Sequence, residues 1–132
     1  MGFLAYGATL EELFANAALA MLSLACELAG VEERERRELE ASGADKEALL
    51  FAWLAEILAV ADAEQLVFRR VEVTALASPE TGGTGRVRGI AYGETFDKAR
   101  HRAGTYIKAV TYHQLGVEQT AEGWRAQVFL DV

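Results

Sequence analysis

Apolar residues recur at helical spacing in two stretches of the first half of the chain, and the second half switches to a period of two. Leu10, Leu13, Phe14, Ala17, Ala18, Met21, Ala25 and Leu28 fall on one helical face. Thr9-Leu10-Glu11-Glu12 ahead of them has the spacing of a capping box, so a helix is predicted to start there and to stop at Gly30. Cys26 then falls inside that helix as a packing residue. A second helix is predicted from near Asp45, with Leu50, Trp53, Leu54, Ile57, Leu58 and Ala61 as its stripe and Leu49 and Val60 on its flank. An apolar girth that wide predicts a central position in the domain. Glu56 lies beside Leu49, Trp53 and Val60 on this helix, and such a carboxylate either finds a cation or reaches past its neighbours to solvent.

Between the helices, Val31 to Ala41 is rich in Glu and Arg, but Gly30 and Gly43 bracket it and Val31, Leu39 and Ala41 share a period-two face. The reading is an edge strand. Val71, Val73 and Ala75 alternate up to the loop Ser78-Pro79-Glu80-Thr81-Gly82-Gly83-Thr84-Gly85, after which Val87 to Tyr92 returns as the second arm of a hairpin. Strands are predicted near Tyr106 to Tyr112 and Val117 to Thr120, then a turn at Glu122-Gly123 and a last strand from Trp124 to Val132. In that strand Trp124, Ala126, Val128, Leu130 and Val132 share the apolar face, which leaves Asp131 pointing the other way. The sum is a single α+β domain over residues 1–132, two layers deep, with two main helices packed on a largely antiparallel sheet.

Composition narrows the class. A length of 132 residues with 52% hydrophobic and 25% charged residues suits one globular domain and excludes a disordered or fibrous chain. One cysteine permits no internal disulfide, so a reducing, cytoplasmic setting is expected. The most apolar stretch, Ala15 to Ala29, carries Asn16, Ser23 and Glu27 and falls short of the roughly 20 residues a membrane crossing needs. No membrane partner is expected, and the start shows neither the basic segment of a signal peptide nor a myristoylation spacing.

The net charge of −7 is unevenly spread: residues 1–65 hold 4 Lys/Arg against 13 Asp/Glu, and residues 66–132 hold 9 against 7. From Lys98 to His113 there is no acidic residue, while Lys98, Arg100, Arg102, Lys108, His101 and His113 all fall there. That run is either a solvated edge or a face for phosphates or an acidic partner.

Nucleophilic catalysis has little support in one cysteine and two histidines, and the same residues make a poor zinc set. Hard oxygen donors are available at the end of the chain, where the Asp131 carboxylate and the α-carboxylate of Val132 occupy adjacent residues. Two anions so close are relieved by a divalent cation or by Lys or Arg. The alternative is a strand terminus frayed in solvent.

Several blocks, taken in order, resemble the archease family. They are Ala5-Tyr6-Gly7-Ala8-Thr9-Leu10-Glu11-Glu12-Leu13-Phe14 with Asn16-Ala17-Ala18, and Trp53-Leu54-Ala55-Glu56-Ile57-Leu58. Tyr92-Gly93-Glu94-Thr95-Phe96-Asp97 leading to Arg100-His101 follows, then Lys108-Ala109-Val110-Thr111-Tyr112-His113, and finally Trp124 to Val132 ending in Leu-Asp-Val. The resemblance implies an accessory protein, not a free-standing enzyme. Its partner would be the RNA-splicing ligase of tRNA splicing and RNA repair, which it helps to become guanylylated and to turn over repeatedly, with GTP and RNA met only through the ligase. It further implies a divalent metal, Ca²⁺ first and Mg²⁺ or Mn²⁺ otherwise, at Asp131, Val132 and an N-terminal Asp. The family's His-Thr-Ala-Asp falls just before Met1, so the expectation is a domain lacking that ligand and its first N-terminal strand. Glu56 and Lys108 become candidates for a partner-facing or phosphate-facing surface, with His101 and His113 beside them. Two other classes compete: a metal-dependent phosphohydrolase, and a small chaperone or adaptor without metal chemistry.

Overall fold

A computed structural model describes residues 1–79 and 83–132. Of the loop expected between the hairpin arms, Glu80, Thr81 and Gly82 lie outside the described residues. Its elements in order are β1 (Gly2–Gly7), α1 (Leu10–Ala25), β2 (Glu35–Gly43), α2 (Lys46–Glu64), β3 (Leu66–Ala77), β4 (Gly85–Thr95), β5 (Ala109–Thr120) and β6 (Gly123–Asp131). The strands form two three-stranded antiparallel sheets, β1-β6-β5 and β2-β4-β3. Both helices pack against these sheets around one core. The α+β class holds, with the strands divided between two sheets.

Both helix starts are where the sequence places them. The Thr9 hydroxyl accepts from the Glu12 N–H at 3.1 Å, and the Asp45 carboxylate accepts from the Ala48 N–H at 2.7 Å. Leu49, Leu50, Trp53, Leu54 and Ile57 of α2 are fully buried, as a central helix requires. Each such side chain contributes about 1.5–3 kcal/mol by leaving water. The end of α1 differs from the sequence reading. It stops at Ala25, because Cys26 turns to extended backbone (φ −158°, ψ 149°) and bridges to Ala103. Cys26 is therefore a buried cap and not a helix-interior residue, and Gly30 closes a short 3₁₀ turn instead of α1.

Of the segment read as an edge strand, Val31 to Ala41, the part from Glu35 onward forms β2, at the edge of its sheet, while Val31 caps the 3₁₀ turn. In β3 the burial parity changes: Leu66 and Phe68 are inward, then Val71, and Ala75 is exposed. Register shifts between Phe68 and Arg70 and between Val73 and Ala75 produce this, since one extra residue swaps the faces. The two strands expected over Tyr106–Tyr112 and Val117–Thr120 are one strand, β5, with a register shift between Thr111 and Gly116 where Gln114 takes φ 56°. Tyr106 to Lys108 precede it as irregular chain.

At the N-terminus, Gly2–Gly7 form a strand that the sequence reading did not assign. It pairs with β6 from Gly2↔Phe129 to Gly7↔Trp124. The terminal strand β6 is thus the centre of its sheet, with β1 on one side and β5 on the other, and is not a frayed edge. Ala126, Val128 and Leu130 are buried on its inner face, while Asp131 is exposed. Val132 lies beyond the strand and is half exposed, so it does not extend the buried face.

Candidate functional site

The end of β6 gathers the residues singled out for oxygen chemistry. The Lys108 N–H donates to the Asp131 carbonyl at 2.8 Å, and Ala109 lies opposite Asp131 in the β5–β6 register. Across the other side, the Leu130 N–H donates to the Met1 carbonyl at 2.7 Å. Lys108, just ahead of β5, and Asp131, the last residue of β6, are therefore neighbours at one end of the sheet, both exposed, and Val132 follows directly. Carboxylates such as that of Asp131 are hard donors of the kind Ca²⁺ or Mg²⁺ takes, and two of them are fewer than the roughly six oxygens either ion needs. Among the described residues, no three His, Cys, Asp or Glu side chains converge as a metal site.

The remaining candidates are dispersed. Glu56 is half-buried on α2 and forms no ion pair among the described residues. His113 is exposed in the irregular stretch of β5. Its neighbour Tyr112 meets Phe51 of α2 edge to face, with ring centroids 5.5 Å apart. Burial and the nearby carboxylate of Asp45 push the Tyr112 hydroxyl up from its ordinary range.

His101 belongs to the interior, which corrects its assignment to a partner-facing or phosphate-facing surface. Its side chain is fully buried and both ring nitrogens are used within the chain. The Asp97 N–H donates to Nδ1 at 2.8 Å, so that nitrogen carries no proton, and Nε2–H donates to Glu94 Oε2 at 3.0 Å.

Glu94 is the anchor of this cluster, and the sequence reading passed over it. It is 4% exposed at the end of β4. Arg100 grips it with two hydrogen bonds of 2.9 Å, the Glu32 N–H donates at 2.7 Å, and Arg34 stands 3.6 Å away. These donors, Arg100 first and the Glu32 N–H next, hold the Glu94 carboxyl far below the ordinary carboxylate range against the opposing effect of burial. An available signal was a Glu at the end of an alternating run, with an Arg-His pair six and seven residues further on. The cluster fixes the start of the irregular segment 96–108. Further ties run from Glu27 N to Arg102 O, Gly104 N to Ala25 O and Thr105 N to Leu24 O, each 2.9–3.0 Å, before Lys108 reaches Asp131. The basic run of the sequence is thus a strap laid across the end of α1, with Lys98, Arg102 and Lys108 outward and His101 inward.

Beneath the strap lies a groove of about 470 Å³, lined by Leu22, Cys26, Leu58, Phe68, Phe96 and Ile107 among others. Burial raises the Cys26 thiol at its floor above the ordinary range, with Glu27 adding to the shift. That thiol is a packing group.

Two capped helices on paired three-stranded antiparallel sheets, with Asp131 ending the central strand of one sheet, define a small α+β domain. Comparison with known proteins gives the family. Residues 1–132 match the family described as "Archease protein family (MTH1598/TM1083)", and the chain belongs to the archease family. It is 41% identical over 130 residues to protein archease of Methanosarcina acetivorans, covering 98% of this chain and 88% of that one. With protein archease of Pyrococcus abyssi the identity is 38% over 133 residues, covering 100% and 92%. Among solved structures, the solution structure of Methanobacterium thermoautotrophicum protein 1598 superposes with a TM-score of 0.80 at 34% identity, covering 99% of this chain and 91% of that one. A Thermotoga maritima crystal structure described as an archease and possible chaperone gives a TM-score of 0.63 at 19% identity, covering 100% and 90%, which is a likeness of fold.

Proposed function

We propose that this chain serves the RNA-splicing ligase as an accessory protein, promoting guanylylation of the ligase histidine and its repeated turnover, without turning over a substrate of its own. One observation carries the reading. The two most distinctive blocks of the sequence, Lys108–His113 and Leu130-Asp131-Val132, run alongside each other where β5 pairs with β6, the Lys108 N–H donating to the Asp131 carbonyl at 2.8 Å. The backbone of the exposed Lys108 thereby meets the exposed Asp131, with Val132 next to it, at one end of the sheet.

In this proposal Asp131 and Val132 hold a divalent cation, Ca²⁺ in preference to Mg²⁺ or Mn²⁺. When bound, it supplies positive charge toward phosphate oxygens. The residue positioned immediately before Met1 would fall opposite Asp131 if the β1–β6 register continued, because Gly2 pairs with Phe129 and Met1 with Leu130. Directly opposed residues of an antiparallel pair share a face. That is the place where the family resemblance puts an Asp. Lys108 acts as a fixed cation toward phosphate or the partner, and Glu56 on α2 and His113 on β5 are separate candidates for partner contact that are not gathered at this end of the sheet. GTP and RNA are met through the ligase. A reducing cytoplasm suits the buried, unpaired Cys26. Among the described residues no helix is long and apolar enough to cross a membrane.

The test follows the ligase–GMP adduct with ligase, GTP and Mn²⁺, adding the 132-residue chain, the same chain with His-Thr-Ala-Asp ahead of Met1, and Lys108→Ala and Asp131→Ala variants of the extended form. Adduct formation should rise with the extended chain and fall back in both variants. A phosphohydrolase would instead release phosphate with no ligase present, and an adaptor without metal chemistry would be indifferent to Asp131→Ala.

A further inference from the structure

The two sheets have four edge strands: β1 and β5 in one, β2 and β3 in the other. An open strand edge pairs readily with another chain, and charges, prolines and bulges are the usual protections. Three of these edges are protected. β2 carries Glu35, Arg36, Arg37, Glu38 and Glu40. β3 carries Arg69, Arg70 and Glu72 and two register shifts, and β5 is broken between Thr111 and Gly116. β1 has none of them: Gly2-Phe3-Leu4-Ala5-Tyr6-Gly7 contains no charge and no proline, and its register with β6 is continuous.

The direction of its backbone is fixed by the Met1–Leu130 pair. Met1 exchanges hydrogen bonds with Leu130, its carbonyl accepting at 2.7 Å and its amine donating at 3.4 Å. Alternation then turns the N–H and C=O groups of Phe3 and Ala5 toward β6 and those of Gly2, Leu4 and Tyr6 outward. Asn16 Nδ2 confirms the direction at one end by donating to the Tyr6 carbonyl at 2.7 Å. No strand among the described residues pairs with this edge. Leu4 and Tyr6 are 51% and 57% exposed, on the same face as the Phe129 ring.

We propose that β1 is a homodimer edge, which pairs antiparallel with β1 of a second copy to give one six-stranded sheet in the order β5-β6-β1-β1-β6-β5. The strand is its own complement. A two-fold axis at Leu4 sets Leu4 against Leu4 of the second copy and Gly2 against its Tyr6, large against small. The Phe129 ring already leans over Gly2, 2.7 Å from where a Cβ would be, so the incoming Tyr6 ring closes on an aromatic surface. No charge faces its like within the strand pair, although each chain carries −7 overall. The Tyr6 carbonyl keeps a second lone pair for the pairing. A contact this small makes a weak, concentration-dependent dimer.

The test is sedimentation and light scattering of the 132-residue chain across a concentration series, with Leu4→Lys, and oxidative cross-linking of Leu4→Cys beside Gln127→Cys as control. Opposed residues at the axis have Cα atoms about 5.5 Å apart, within disulfide reach. Leu4→Cys should therefore give a disulfide dimer, whereas Gln127→Cys, one strand further in on the same face, should not. Leu4→Lys should keep its circular dichroism and melting temperature and weaken dimerisation about tenfold or more. A chain that stays monomeric at every concentration overturns the proposal. So does equal cross-linking of the two cysteine variants, or a folded Leu4→Lys variant that dimerises unchanged.

Discussion

At Glu94 a single carboxylate ties three segments together: β4 through its own backbone, the Arg100-His101 turn, and the Glu32 N–H ahead of β2. Its folded value lies below the ordinary 4.5, so its contribution to stability is complete above that value and is lost as pH falls below it. In thermal melts, Glu94→Gln should lower the melting temperature at neutral pH, and the gap to the wild type should narrow as pH drops below 4.5. A gap unchanged between neutral and strongly acid pH would show that Glu94 is not held as the anion. Trp53 gives a second test, since it is fully buried and its indole N–H donates to the Phe14 carbonyl at 3.3 Å. Trp53→Phe should cost about 1 kcal/mol for the lost hydrogen bond, and Trp53→Ala about 3–5 kcal/mol for the cavity, both read from denaturant unfolding. Residues of this kind were unequally legible. Trp53 was visible as core because its neighbours at helical spacing are apolar. His101 was assigned to a surface because its sequence neighbours are basic, and only the fold brings Glu94 to it.

Elements declared themselves where local chemistry decides them. Thr9 and Asp45 cap their helices from within the sequence that names them, and burial alternates along β4 from Gly85 to Gly93 and along β6 from Trp124 to Asp131. What stayed hidden depends on partners distant in sequence. The end of α1 is set by Ala103 pairing with Cys26, and β1 exists because β6 offers it an edge. The bulges of β3 reverse the burial parity with no local marker. Two glycines test the element scale. A Cβ at Gly93 would overlap the Val67 carbonyl across the β3–β4 pair, whereas at Gly116 it would meet nothing within 4 Å. Gly93→Ala should therefore destabilise the protein by about 1–3 kcal/mol. Gly116→Ala should be neutral or stabilise it by about 0.5 kcal/mol. Equal effects of the two in denaturant titrations would contradict the packing described here.

For the whole molecule, the order of blocks along the chain carried more about family than any one motif, and the structure explains their spacing. The Lys108 block and the Leu-Asp-Val end had to be matched separately in sequence, yet they share one corner because β6 lies between β1 and β5. The strap 96–108 delivers Lys108 to that corner from the Glu94 anchor, so fold and candidate site depend on each other. The proposed ligase contact rests on the family resemblance, and so does the choice of a metal there, since two adjacent carboxylates suggest a cation but do not distinguish its site from a solvated strand end. The decisive measurement is multiple-turnover sealing of RNA with a 3′-phosphate and a 5′-hydroxyl end by the RNA-splicing ligase proposed as partner, with this chain, extended by His-Thr-Ala-Asp, present at sub-stoichiometric amounts. Sealing should continue beyond one product per ligase and should fall back to a single turnover with Asp131→Ala or Lys108→Ala. Sealing that stops at one turnover with every form of the chain would contradict the account.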